Sequence, residues 1–587
     1  MTMPNNQSRM WKIEESQPEL LKTLCAELGI SFRLASILIN RGFNNPQSAH
    51  DFLYPSLHNL PDPFLMAGMD KAVDRLVQAF RRQEKIFVFG DYDMDGISAT
   101  TILVDYLRRS GFQADYSIPS RLTDGYGLNL ESVKKAKLSG ADLAITVDCG
   151  ISDYEEIVAA NHLGLDIIVT DHHQIPERIP PAFAIINPHL KDCRYPDKVL
   201  AGVGVAFNLM MALRKRLRQT GLTKDVNLLQ YLDLVALGTV ADVMPLTGVN
   251  RIFVSFGLAE INKAYRRGLR TLIASCHFQR GQLIKARDLA FRLAPRVNAV
   301  GRIADAGTAV ELFLTKDQAV ATRHAQHLEE CNERRRQIEK DIKNEVDEII
   351  SRDESLSSAK AILLASENWH PGVVGIVSSR IAESHGKPTI LIALENGVGK
   401  GSGRSVPGLN LVKILEHCQS QLIRFGGHEQ AVGLTVTEEN IPNLRMQIEN
   451  FIIDSGPLQA ELPDILLDGV LKPEEVNRKL LKELELLQPF GQGNPEPAFI
   501  LPSMQLVKAT SIGQSGRRHM KFIFADKKST RLPGIAFNFI GTCPQTGENL
   551  DLAFTPEENI WQGKSEIRIN LVDFRPSQFN EQAKSTS

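Results

Sequence analysis

Three short segments of this 587-residue chain concentrate side chains that bind hard metal ions: Gly90-Asp91-Tyr92-Asp93-Met94-Asp95-Gly96, Asp148-Cys149-Gly150 and Asp171-His172-His173. Each follows a short apolar run of strand character, at Ile86–Phe89, Leu143–Val147 and Asp166–Thr170. In an open α/β sheet the carboxyl ends of the strands line one crevice, so acids far apart in sequence can converge there. A fourth acid, Asp242 in Gly238-Thr239-Val240-Ala241-Asp242, follows a helical pattern and is placed to close the ring. Carboxylates in such number repel unless cations neutralise them, and carboxylate with imidazole favours Mn2+, Mg2+ or a similar ion over thiolate-seeking metals. Two such ions about 3.5–4 Å apart lower the pKa of a bound water, orient it in line and stabilise the leaving oxygen of a phosphoester. The chemistry implied is hydrolysis.

Each piece has a blander reading. Asp-x-Asp-x-Asp-Gly opens calcium loops, but here the closing Glu is absent and the following residues are helical in pattern. An isolated Asp after a strand is more often a helix cap than a ligand, which applies to Asp148 and Asp242 taken singly and loses force when they are taken together. The segment Gly397-Val398-Gly399-Lys400-Gly401-Ser402 invites a nucleotide-binding reading, yet Leu394 and Gly401 stand where a P-loop needs Gly and Ser/Thr. That argues against an ATP-driven helicase.

The elements that must position these residues follow from periodicity. From Lys85 to Thr170 apolar strands alternate with amphipathic helices near 97–109, 130–138 and 153–162, the order of a mostly parallel sheet covered on both faces. Residues 317–350 contain no Gly or Pro and read as one helix about 50 Å long. A second α/β unit is expected at about 358–455, and after Pro463 a tail of short strands fits a small barrel such as an OB-fold. Residues 1 to about 75 read as short helices broken by Pro-rich joints, a terminal appendage.

A hydrophobic fraction of 43% with 23% charged residues excludes a fibrous or disordered chain. The N-terminus lacks a signal-peptide pattern and no run approaches a bilayer-spanning length, so the expected location is the cytoplasm. Seven scattered cysteines, none in C-x-x-C, argue against a disulfide framework or a zinc knuckle. The net charge of −2 gives no hint of a polyanionic partner, but between Lys263 and Arg302 ten Lys or Arg face one acid, Asp288. Such clustering is either a solvated face or a nucleic-acid footprint.

The four acid-bearing motifs resemble those of the DHH phosphoesterases, and within them the exonucleases specific for single-stranded DNA. The resemblance extends to Pro119–Gly127, Ala294-Pro295-Arg296-Val297-Asn298-Ala299-Val300-Gly301-Arg302, Trp369–Gly375, Gly401–Ser405 and Gly426-Gly427-His428-Glu429-Gln430-Ala431, and covers roughly residues 40 to 500. It implies an α/β DHH domain with a parallel sheet at 76–316 after an N-terminal helical segment at 1–75. A connecting helix at 317–350, a DHH-associated substrate-binding domain at 351–458, an OB-fold at 459–575 and a disordered tail at 576–587 complete the expected order. The implied activity is metal-dependent hydrolysis of single-stranded DNA from 5′ to 3′, releasing mononucleotides in repair or recombination. Two divalent ions, Mn2+ or Mg2+, are implied on Asp93, Asp95, Asp148, His172 and Asp242. Asp91, Asp171 and His173 complete the catalytic site, with His173 expected at the substrate phosphate or a metal. Asp171 is expected to orient an imidazole or to ligate directly.

For the nucleic acid the resemblance implies Arg121, Asn298, Arg302, Arg380, Arg404, Ser405, Gly427 and His428, since Gly lets backbone N–H groups approach phosphates and Arg offers a planar fork. In the barrel, Phe522, Phe524 and Phe537 are either stacking platforms or core, with Arg517, Arg518 and Lys521 as a cationic track. Implied partners are single-stranded DNA, a single-strand-binding protein and a RecQ-type helicase, with no membrane and a monomeric chain. Two rivals remain: a family hydrolase of short oligonucleotides, cyclic dinucleotides or pyrophosphate, and a non-catalytic binding subunit on the same fold.

Overall fold

The computed structural model describes residues 9–14, 17–121, 125, 127–221, 225–279, 281–456, 464–512, 519–539, 542–561 and 564–577. Two compact units divide the chain: Pro61–Met244 with Phe256–Glu461, and Met1–Leu60 with Pro245–Ser255 and Leu462–Ser587.

The larger unit holds two sheets. In the first, five strands run in the order Gln113–Ser117, Lys85–Gly90, Ala141–Val147, Asp166–Thr170, Ala184–Ile186, all parallel. Ile86, Val88, Leu143, Ile145, Ile167 and Ile168 are fully buried, as expected for strands sandwiched between helices. Register pairs Gly90 with Val147 and Val147 with Thr170, so three strands end in line. Asp91, Asp148 and Asp171 are therefore the next residues out of one sheet edge. The helix Met94–Arg109 follows directly; its N-cap Asp93 accepts the N–H groups of Asp95 at 2.9 Å and Gly96 at 3.1 Å.

The helix Gln318–Arg352, capped by Asp317, packs on Ala294–Ile303 and leads to the second sheet. Its order is Arg424–His428, Ala431–Thr437, Val398–Arg404, Thr389–Glu395, Ile362–Ser366, with only the last two strands parallel. The Gly397–Ser402 segment is the turn and second strand of a hairpin in which Glu395 pairs with Val398, so it does not form a phosphate loop ahead of a helix.

Part of the basic stretch from Lys263 is structural. Arg266 forms a buried ion pair with Asp233, Arg292 covers the Phe278 ring, and Arg296 pairs with Glu329. Arg280 lies outside the described residues.

The smaller unit is a closed barrel in the order Phe499–Ile512, His519–Ala525, Arg531–Ala536, Lys564–Pro576, Asn549–Trp561. Phe522 and Phe524 are 2% and 1% exposed and fill the barrel core, which removes them as stacking platforms. Phe537 is half-buried with the Arg568 guanidinium 5.9 Å from its ring centre, and Lys521 is exposed. Arg517, Arg518 and residues 578–587 of the expected tail lie outside the described residues. The N-terminal helices Pro18–Leu28 and Phe32–Asn40 send Leu24, Leu34 and Leu38 into the same core, so this segment shares the barrel's hydrophobic interior. None of the seven cysteines forms a disulfide. Among the described residues no single helix is long and apolar enough to cross a membrane.

Candidate metal centre and the adjoining arginine cluster

At the shared strand edge the acids and imidazoles meet in three overlapping sets: Asp91, Asp93 and Asp148; Asp95, His172 and Asp242; Asp148, His172 and His173. Within each set the ligand atoms lie inside 4.8 Å of one another. Asp91, Asp95 and Asp148 are buried, and among the described residues the buried oxygens Asp91 Oδ1 and Asp242 Oδ2 accept no hydrogen bond. His172 Nε2 lies 3.1 Å from Asp148 Oδ1 and 3.7 Å from Asp242 Oδ2. The backbone is shaped to this purpose. Asp148 sits at φ +61°, and a Cβ on Gly202 would come within 2.6 Å of the Asp148 side chain.

The electrostatics follow from crowding. Burial, then the charge of Asp93, pushes Asp91 well above the carboxylate range. Burial, then the charge of Asp95, does the same to Asp148; burial, then Asp242, acts on Asp95. Asp242 is pushed up to about 7 by burial and Asp93. His172 is held down to about 4 by burial and by His173, so it stays neutral with a lone pair for ligation.

His173 is the opposite case. Burial opposes its charge, but the Asp171 hydrogen bond and the charges of Asp171, Asp242 and Asp91 outweigh it and hold the ring at about 9. Asp171 itself accepts from His173 Nδ1 at 2.7 Å and from the N–H groups of His172, His173 and Ile151 at 2.7, 3.0 and 3.0 Å. Burial works against its charge, yet these donors keep it below the usual range. Asp171 belongs to none of the three ligand sets and acts as the brace of the His-His turn.

Beside these sets lies a second cluster. Arg121 sits 5.1 Å over the Tyr92 ring; Arg302 is pushed down to about 10 by burial and then by Arg121 and Arg335; Arg404 is lowered by burial and by Arg121. Arg302 Nη1 donates to Gly372 O at 3.1 Å and Arg404 Nη1 to Ser402 Oγ and Gly403 O at 3.1 and 2.8 Å. Guanidinium groups held this close repel one another, a repulsion that an anion among them would relieve.

Other residues singled out from the sequence are bonded to the chain itself or exposed. Arg380 is ion-paired with the buried Glu339. Ser405 Oγ donates to Leu409 O at 2.7 Å within its own turn, and Asn298 Oδ1 accepts the Met94 N–H at 2.7 Å. Gly427, at φ +136°, and His428 are exposed in the hairpin pairing Arg424–His428 with Ala431–Thr437.

One participant was missed in the sequence. The helix Gly202–Thr220 points its N-terminus at Asp95, whose two oxygens accept from Gly202 N at 2.7 Å and Val203 N at 3.0 Å. Ala201-Gly202-Val203-Gly204, a glycine-rich helix start, was the available signal.

A parallel sheet whose strand ends gather acids and a His-His turn, followed by a second sheet, defines a phosphoesterase of the DHH class. Family models agree: the DHH family N-terminal domain matches residues 85–239, the DHHA1 domain 358–454 and the RecJ OB domain 467–573. The chain is 37% identical to the single-stranded-DNA-specific exonuclease RecJ of Dickeya dadantii, over 96% of this chain and 97% of that protein. It is 34% identical to the protein of that description from Bacillus subtilis, over 97% of this chain and 71% of that one. The crystal structure of RecJ in complex with Mn2+ from Thermus thermophilus matches with a TM-score of 0.82 at 32% identity, covering 97% of this chain and 80% of that one. The chain belongs to the RecJ family.

Proposed function

We propose that this protein is a divalent-metal-dependent exonuclease that hydrolyses single-stranded DNA from the 5′ end to mononucleotides, in repair or recombination. The observation that carries this reading is the set of buried acids at one sheet edge, including oxygens of Asp91 and Asp242 that accept no hydrogen bond from the described residues. Buried carboxylates this close are stable only when a cation joins them or protons neutralise them. Oxygen donors with one or two imidazoles suit Mn2+ or Mg2+. Asp93, Asp95, Asp148, His172 and Asp242 are the ligands in this reading, with Asp91 completing the set. Bound ions would supply an activated water and neutralise charge on the phosphate.

The rest is done by the chain. Asp171 fixes the ring of His173, whose positive charge is suited to a scissile phosphate. Asp95 is locked by the helix N-terminus at Gly202, which keeps its carboxylate in one orientation. Arg121, Arg302 and Arg404 present cations to the nucleic-acid backbone, while Gly427 and His428 offer an exposed hairpin for contact further along. Domain limits of 76–316, 351–458 and 459–575 serve as the working division. A single-strand-binding protein and a RecQ-type helicase as partners, a monomeric state and a cytoplasmic location follow from family membership and belong to the same proposal.

Digestion of end-labelled single and double strands with Mn2+, Mg2+ or EDTA tests it. Release of mononucleotides from the 5′ end of single strands, abolished by EDTA, is expected. Activity confined to dinucleotides, or persisting in EDTA, would overturn it.

A further inference from the structure

Phe291 is 71% exposed, which for one aromatic side chain is unremarkable by itself. Its setting is not ordinary. It lies in a π-helical turn, Leu289–Leu293, whose end residues Leu289 and Leu293 are fully buried, so the wide turn holds Phe291 outward between two anchors. Such turns interrupt regular hydrogen bonding and are frequent at functional sites. The turn runs straight into the helix Ala294–Ile303. At about 100° per residue Pro295, Asn298 and Arg302 fall within about 60° of one another, one stripe along the helix, and Phe291 precedes Pro295 by four residues, about one wide turn back along that stripe.

Both far members of that stripe reach the chemistry already described. Asn298 holds the Met94 N–H inside the first acid motif, and Arg302 belongs to the arginine cluster. Phe291 therefore stands about 10 Å further back along the same face. One turn before it, Arg287 is exposed, with no ion pair among the described residues. Cation, ring, cation along one face is the pattern that a single strand requires: phosphate contacts flanking a base stack.

Resting on the functional reading above, we infer that Phe291 is a stacking platform for a base of the incoming single strand, upstream of the metal centre. A duplex has no unstacked base to offer it, so the ring adds to selection for single strands.

The test uses the full chain in EDTA, where hydrolysis cannot intervene. Binding of dT oligomers is measured by anisotropy for wild type, F291A, F291L and F291W. In parallel, 2-aminopurine is placed at successive positions from the 5′ end. F291A is expected to weaken binding about ten-fold and to abolish quenching at one position, with F291W restoring both and F291L neither. A dissociation constant for F291A within about two-fold of wild type, or full recovery with F291L, would overturn the inference. Failure of wild type to degrade single strands with Mn2+ would instead sink the functional reading, and the binding comparison would still decide the role of Phe291.

Discussion

Asn298 reaches from the helix Ala294–Ile303 to the first acid motif, where its Oδ1 accepts the Met94 N–H at 2.7 Å. Met94 stands between Asp93 and Asp95, so this bond sets the backbone on which both carboxylates hang. Asn298, expected at the substrate, is thus a positioning residue. N298A should lower kcat and Mn2+ affinity about 10–100-fold with little change in KM. Calorimetric Mn2+ titration with steady-state kinetics checks this, and a pure KM effect would return Asn298 to substrate contact.

Asp148 is buried among Asp91, Asp93, Asp95 and Asp242, at a positive φ that Asn tolerates. D148N should therefore stabilise the metal-free protein, by about 1–2 kcal/mol, because it removes a carboxyl whose ionisation burial and the neighbouring acids oppose. It should also lower kcat on the order of 10³-fold and abolish the rise in Tm on adding Mn2+. Thermal scans with and without Mn2+ decide it; a destabilised apo variant would mean the acids do not repel as described.

Most of the metal centre was legible because it is local. Each acid motif directly follows a strand with its own apolar signature, and chain order alone implies a parallel sheet whose ends align. What was illegible depends on packing between distant segments. Nothing in the sequence near Arg380 shows that Glu339 on the long helix takes its charge, nor that Ser405 turns to its own backbone. Alternation in Met520–Phe524 fits an exposed stacking face and a barrel interior equally, and burial resolved it for the interior. The N-terminal helices read as an appendage because their partners, Phe499 and Phe554 among them, lie more than 400 residues away.

Asp153 supplies a pH test away from the metal ligands. Its Oδ2 accepts the Leu128 N–H at 2.7 Å, bracing the loop that carries Arg121, and burial pushes it up from 3.8 to about 6. An acid raised in the fold keeps its proton there while the unfolded chain loses it. The contribution of Asp153 to stability therefore falls as pH rises from about 4 to 6, by roughly 2–3 kcal/mol in all, and levels off above. D153N keeps an acceptor for Leu128 without the charge. It should match wild type near pH 4 and exceed it in Tm at pH 7.5; an equal gap at both pH values would remove Asp153 as the cause.

In the smaller unit Arg251, 2% exposed, joins segments that are distant in the chain. Its Nε donates to Phe52 O at 2.6 Å, Nη1 to Leu487 O at 3.1 Å and Nη2 to Gln488 O at 2.6 Å, with the guanidinium 3.7 Å from the Phe52 ring centre. Burial, then the charge of Arg41, pushes it down to about 9, so it remains protonated at neutral pH, its charge met by carbonyls and the Phe52 ring. Replacing it with Ala strands those carbonyls and opens a cavity, at a cost of about 3–5 kcal/mol. Lys keeps the charge but has no planar fork to span three carbonyls, so R251K should recover less than half of the loss. Urea midpoints followed by far-UV circular dichroism provide the measurement. A shift for R251A worth less than about 1 kcal/mol would show that water replaces the guanidinium, and that the N-terminal helices are held to the barrel without it.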